Sequence, residues 1–224
     1  MKKENLRKAA ITAVFAAIAF LLTFLFRFKV SFLTFDFKDA ILAMVSLMFG
    51  PLYGIASAAV VAVLEFLSVS DTGLYGLIMN FISSGTFALV FGLVYKYKRT
   101  FSGAIWAVVL TIICVTSVMM LANYFITPYY MGVSRGDVAA LIPTLLLPFN
   151  LAKSVINSTA TLVLYKPFTN ALKRLGIIRK SENPVHKYNK KSLILFIVSG
   201  VICVIAVVFI IHYLGGGFEF LPHF

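Results

Sequence analysis

Apolar positions along this 224-residue chain fall in long runs, not in the one-sided stripes of a domain that is wet on one face. A helix needs about 20 residues to cross a hydrocarbon core of roughly 30 Å. Five runs are of that order: residues 9–26, 52–67, 74–95, 104–126 and 192–214. A sixth, 141–164, is interrupted by Pro143 and Pro148. Proline breaks the helical ladder but suits a first turn, so the spanning helix is predicted to begin near Pro148 behind a short helix or loop. Residues 36–49 are apolar only from Ala40 onward and reach just ~20 Å at 1.5 Å per residue. They read as a short tilted span or half of a re-entrant hairpin, with Gly50 and Pro51 as the turn. The prediction is an all-α, polytopic membrane helical bundle of seven spans, with 36–49 second and 148–164 sixth.

Basic residues alternate between rich and poor segments, as the positive-inside rule requires of that count. The rich segments hold Lys2, Lys3, Arg7 and Lys8, then Lys96, Lys98 and Arg99, then Lys166, Lys173, Arg174, Arg179, Lys180, Lys187, Lys190 and Lys191. The poor ones hold Arg27, Lys29, Lys38 and Arg135, and Lys153 lies within the sixth span. A cell-membrane protein with its N-terminus cytoplasmic and its C-terminus outside is expected. The net charge of +12 is thus a topology signal, and no nucleic-acid partner is expected. With 61% hydrophobic against 12% charged residues and a mean hydropathy of +0.97, a soluble fold is excluded. Ala17-Ile18-Ala19 imitates a signal cleavage site, but the apolar run continues to Phe26, longer than a signal core, so it reads as a retained span. Residues 173–191 read as a basic cytoplasmic linker, 192–214 as an additional helix and 215–224 as an outer tail.

Chemistry narrows the picture further. The chain has no HExxH and no GxxxxGK[ST] loop, and His186, His212 and His223 are far apart, so neither an enzyme nor a cofactor is expected. Cys114 and Cys203 sit in apolar runs and read as lipid-buried thiols, forming neither a disulfide nor a metal site. Polar side chains in a membrane are costly, which makes each a functional candidate. Asn80, Asn123, Asn150 and Lys153 converge on the outer half, and Asn150, Lys153 and Asn157 share one helix face at i, i+3 and i+7. The plainer role for each asparagine is to join helices. Lys153 needs a partner, whether a ligand, Glu65 or Asp71. Aromatic residues gather at the same level: Phe32, Phe35, Phe37, Tyr75, Tyr124, Tyr129, Tyr130 and Phe149. They fit an interfacial belt, or collectively a pocket for a flat ring. Ala9, Ala13 and Ala17 repeat at i, i+4 and i+8, as do Gly54, Ala58 and Ala62. Both sets permit close helix approach, within the bundle or to another protein.

Arg7-Lys8 ahead of these alanine steps, the segment FDFKDAILAMVSLMFGPLYGI, then NYFITPYY and LIPTLLLPFNLAKSVINS occur here in one order. This series resembles the substrate-binding S components of energy-coupling factor (ECF) transporters, most of all the riboflavin-specific members. The resemblance covers roughly residues 6–172. It implies a six-helix S-component core over 1–172, to which 192–214 adds a seventh, C-terminal transmembrane helix. It further implies high-affinity vitamin binding at the outer side, with riboflavin uptake driven by a transmembrane coupling protein and two cytoplasmic ATPases. The S component is expected to topple in the membrane. Carried residue by residue, the implied substrate-binding positions are Asn80, Asn123, Asn150 and Lys153, with Thr127 and Tyr129 beside them. The implied partner-binding positions are Ala9, Ala13 and Ala17. Two alternatives stay open: an S component for another metabolite such as folate or pantothenate, and a structural membrane subunit with no small-molecule site. A proton- or sodium-driven transporter would be expected to show inverted repeats and a midplane carboxylate, and the sequence shows neither.

Overall fold

The computed structural model describes residues 2–25, 27–98, 100–174, 176, 190–214 and 217–219. Five helical stretches among them are long and apolar enough to cross a membrane: Glu4–Leu25, Pro51–Ser68, Gly73–Tyr97, Ser102–Met131 and Arg135–Arg174. They belong to helices α1 (Lys2–Leu25), α3 (Pro51–Ser68), α4 (Gly73–Tyr97), α5 (Phe101–Met131), and α6 (Arg135–Leu141) continuing into α7 (Leu147–Arg174). Between α1 and α3 lie two strands, β1 (Arg27–Val30) and β2 (Leu33–Phe35), and the short helix α2 (Lys38–Phe49). Helix α8 (Lys190–Tyr213) and strand β3 (Gly217–Glu219) follow α7. The helical membrane bundle read from the apolar runs is present.

Local chemistry explains where the helices stop. Gly50, at φ +105°, separates α2 from α3, and Pro51 opens α3 where its missing N–H costs nothing. The Gly50–Pro51 turn is as expected. The Thr100 hydroxyl accepts from the Gly103 N–H at 3.1 Å and caps α5. Gly132, in the left-handed conformation, ends that helix beyond Pro128. Ser134 and Asp137 form a reciprocal capping box that starts α6. A π-helical turn, Ile142–Leu146, carries Pro143 and joins α6 to α7, which begins one residue before Pro148. The expected short helix ahead of Pro148 is therefore α6, and the wider turn absorbs the proline so that the path stays helical.

Helix α2 has 12 residues, about 18 Å, close to the short reach expected of 36–49, and every residue from Lys38 to Ser46 is buried in the bundle. One feature departs from expectation. The chain is not purely helical. β1 and β2 form a tight antiparallel hairpin through Ser31 and Phe32, with Val30 opposite Leu33, and β3 pairs with the other edge of β1 in the order β2-β1-β3. The alternating Phe, Val, Leu and Thr side chains of 28–35 suit strands, but so short a hairpin was hidden between two longer apolar runs. The described part of the last helix begins at Lys190. The remainder of the predicted linker and the tail outside 217–219 lie beyond the described residues.

The core lies between α1, α2, α3 and α4, where Phe15, Ala19, Leu42, Val45, Ala58, Val61 and Ala88 are buried together. Gly54, Ala58 and Ala62 face this interior. Ala9, Ala13 and Ala17 face outward beside Leu6, Val14 and Leu21, which are also exposed. The two small-residue series thus separate: one packs the bundle, the other is an uncovered face. α2, α3 and α4 meet at Ser46, where a Cβ on Gly92 would lie 2.8 Å from the Ser46 Cβ and 3.3 Å from the Pro51 Cα. Neither neighbour is a flexible side-chain tip. Gly92→Val is therefore expected to lower stability by about 1–3 kcal/mol through overpacking, measured as a reduced thermal unfolding midpoint in detergent.

Candidate functional site

Opposite charges order one end of the bundle. Lys153 on α7 donates to the Asp36 Oδ2 at 3.0 Å and to the Thr34 carbonyl at 3.2 Å. The Lys38 Nζ lies 3.5 Å from the same Asp36 oxygen and donates to both Glu65 oxygens, at 2.8 and 2.6 Å. Glu65 also accepts from the Asn80 amide at 2.8 Å. The chain Lys153–Asp36–Lys38–Glu65–Asn80 thereby ties α7, the strand-to-helix corner, α2, α3 and α4 together. Asp36, Lys38 and Glu65 are each at most 2% exposed. Such a cluster persists only if each charge is paired, because an unpaired one in this setting costs several kcal/mol. Asp39 is held separately by the Ser84 hydroxyl at 2.5 Å.

Asn157, one helical turn below Lys153, locks the same corner. Its Oδ1 accepts from the Ala40 N–H at 3.0 Å, and its Nδ2 donates to the Asp36 and Lys153 carbonyls at 2.9 and 3.1 Å. It satisfies a first-turn donor of α2 that lacks a helical acceptor. The polar stripe on the sixth predicted span is therefore divided: Asn157 is structural, while Asn150 and Lys153 face a cavity.

That cavity, about 240 Å³, opens between the hairpin, the α3–α4 corner and the ends of α5 and α7. It exceeds the ~30 Å³ share of one water many times over. Asp36, Lys38, Glu65, Asn80, Asn123, Asn150 and Lys153 all border it. The asparagine amides are oriented by their neighbours. Asn123 donates to the Met119 carbonyl at 2.7 Å and accepts from the Thr127 hydroxyl at 2.9 Å, and Asn150 donates to the Leu146 carbonyl at 2.8 Å. Each retains polar capacity toward the cavity. Phe32 and Tyr130, which border the cavity, pack edge to face at 6.2 Å, and Tyr75 stands 6.2 Å from Tyr130. Lys29 on β1 and Asp71, 3.1 Å apart, connect the hairpin to the α3–α4 corner.

The structure brings four of the six predicted binding residues, Asn80, Asn123, Asn150 and Lys153, to one cavity. Thr127 is buried behind Asn123 and orients it without bordering the space. Tyr129 is 64% exposed and does not line the cavity. A helix turns about 100° per residue, so it is the adjacent Tyr130 that points inward. Lys153 pairs with Asp36, not with Glu65 or Asp71, which already hold Lys38 and Lys29. Asp36 and Lys38 were missed as site residues because Asp36 read as the first residue of the weakest span and Lys38 as an outer-segment charge. Their one signal was opposite charge immediately ahead of an apolar helix.

The match to known proteins covers this site. The family model for the ECF transporter substrate-specific component matches residues 7–165. The chain belongs to this family. The chain is 33% identical over 184 residues to the riboflavin transporter RibU of Staphylococcus aureus, covering 77% of this chain and 95% of that protein. It is 28% identical over 164 residues to the riboflavin transporter FmnP of Bacillus subtilis, covering 68% and 86%. A solved S component of a bacterial ECF transporter aligns with a TM-score of 0.64 at 30% identity, covering 78% of this chain and all of that one. This S component is accordingly a multi-pass membrane protein of a transport system.

The ion chain makes a stability prediction. Lys38→Met leaves Asp36 and Glu65 facing one another without the cation between them, with an expected loss of about 3–5 kcal/mol. Lys38→Met combined with Glu65→Leu should recover part of it. Thermal unfolding of the purified variants in detergent checks both.

Proposed function

We propose that this S component binds riboflavin in the cavity at the outer face of the cell membrane and mediates its uptake with an ECF coupling protein and two cytoplasmic ATPases. The observation that carries the reading is the cavity's donor and acceptor set. Asn80, Asn123 and Asn150 offer carboxamides, whose paired donor and acceptor complement the carbonyl–NH–carbonyl edge of a flavin. Phe32, Met79, Met119, Tyr130 and Phe149 supply apolar walls for the fused rings. The cavity's cations argue against a carboxylate vitamin such as folate or pantothenate. Lys29, Lys38 and Lys153 each already face a protein carboxylate, at 3.1, 2.6 and 3.0 Å. The relatives named as riboflavin transporters support the same ligand.

Orientation follows from charge. The start of α1, the α4–α5 corner with Lys96 and Lys98, and the end of α7 with Lys173 and Arg174 lie away from the cavity. Arg7 donates to the Gly176 carbonyl, joining two of these basic segments. The basic end is cytoplasmic and the N-terminus lies inside. The uncovered alanine face of α1 is the docking surface for the coupling protein, since small side chains let a second helix approach closely.

Two experiments test this reading. Lys153→Ala should weaken riboflavin binding about tenfold to a hundredfold, through the roughly 1.5–3 kcal/mol of a bond to a charged group together with the loss of Asp36's partner, and Asn150→Ala by up to about tenfold. Quenching of flavin fluorescence on titration into the purified protein measures it. Ala13→Trp should leave that affinity unchanged yet abolish uptake in cells that contain the coupling module.

A further inference from the structure

The part of this chain outside the family match ends on the cavity's lid. The family model stops at residue 165, and the solved neighbour is matched over its whole length by 78% of this chain. Helix α8 and strand β3 lie beyond the residues that the family model matches. Their positions are specific. α8 packs along α7, and its Ile210, 2% exposed, is buried with Val30 and Phe35 of the hairpin and with Phe149, Ala152 and Ile156 of α7. β3 then pairs antiparallel with β1, setting Arg27 opposite Glu219, Phe28 opposite Phe218 and Lys29 opposite Gly217.

The hairpin is one wall of the cavity. Lys29, Ser31, Phe32, Leu33 and Thr34 border the space. Besides the Val30 and Phe35 anchors, the contacts that hold the hairpin include the Phe32–Tyr130 ring contact, the Lys29–Asp71 pair and the bond from Lys153 to the Thr34 carbonyl. The Asp71 side chain is 65% exposed, so that pair contributes little. Without β3, the outer edge of β1 would present unpaired N–H and C=O groups. With it, the hairpin becomes the inner part of a three-stranded sheet whose last strand is fastened to α7 through α8.

We propose that α8 and β3 act as a strap that holds the hairpin closed over the cavity and sets the rate at which this protein exchanges its ligand. The strap contributes no cavity-lining residue among those described, so it acts on opening and not on recognition. Both association and dissociation should therefore slow when it is fastened and quicken when it is released. The ligand readout rests on the riboflavin assignment; the lid readout does not.

The test uses the full-length protein. Replacing Gly217 and Phe218 together by proline removes two adjacent N–H donors from β3, at least one of which faces β1 in an antiparallel ladder. Riboflavin dissociation followed by recovery of flavin fluorescence should quicken about tenfold, as should hydrogen exchange of the β1 amides. A second variant carries Phe28→Cys and Phe218→Cys. Directly opposed strand residues have Cα atoms about 4.5–5.5 Å apart, within reach of a disulfide. Oxidised, it should release riboflavin about tenfold more slowly than wild type, with the rate restored by reductant. Exchange and dissociation rates within twofold of wild type in both variants overturn the strap. A wild-type protein that binds no riboflavin would overturn the vitamin assignment, and β1 amide exchange in the proline variant would then decide the strap: faster exchange supports it and unchanged exchange overturns it.

Discussion

Lys153, Asp36, Lys38 and Glu65 form a run of alternating charge where an isolated charge would be intolerable, and the architecture of the cavity follows from that constraint. Three parts of the chain supply them, Glu65 from α3, Lys153 from α7, and Asp36 with Lys38 from the corner between β2 and α2, and none can withdraw without stranding its neighbour. α2 is too short to cross a membrane alone, yet it is held at the centre of the bundle because Lys38 at its first residue is clasped by α3 and its corner by α7. The hairpin is carried with it, since Asp36 directly follows β2. A buried ionic chain of this kind adds little net stability over an apolar core, but it specifies one arrangement of five elements.

Most of the scaffold was legible because lipid imposes a blunt code. Run length and basic loops locate the long helices, and Gly50–Pro51 and Pro148 mark their ends. The i and i+3 spacing of Asn150 and Lys153 placed both on the cavity face. What was hidden depended on tertiary pairing. Nothing local in FDFKDA says that Lys38 will be among the most deeply buried residues in the protein, because its partner lies 27 positions away. The strands were hidden because seven strand residues carry no long period. Tyr129 and Tyr130 show how one position on a helix separates a lipid-facing ring from a cavity-facing one, a register that composition cannot resolve.

The bundle divides its work between two ends. The end rich in buried polar groups holds the cavity, and the start of α1, the α4–α5 corner and the end of α7 carry the basic residues. The open alanine face on α1 runs outside the core that Phe15 and Ala19 join from the other side of the same helix. One helix thus faces two ways, with Phe15 and Ala19 inward and Ala9, Ala13 and Ala17 outward beside Leu6, Val14 and Leu21. The C-terminal α8 and β3 lie on α7 and the hairpin, leaving that face uncovered.

A polar cavity built for a flavin should hold one through purification. The most direct measurement is the visible absorption spectrum of the wild-type protein purified in detergent after incubation with riboflavin and removal of the free vitamin. Flavin absorbance that remains with the protein in a one-to-one amount, and is lost when Asn150 and Lys153 are both replaced by alanine, is the predicted result. A folded, colourless wild-type protein would contradict the account.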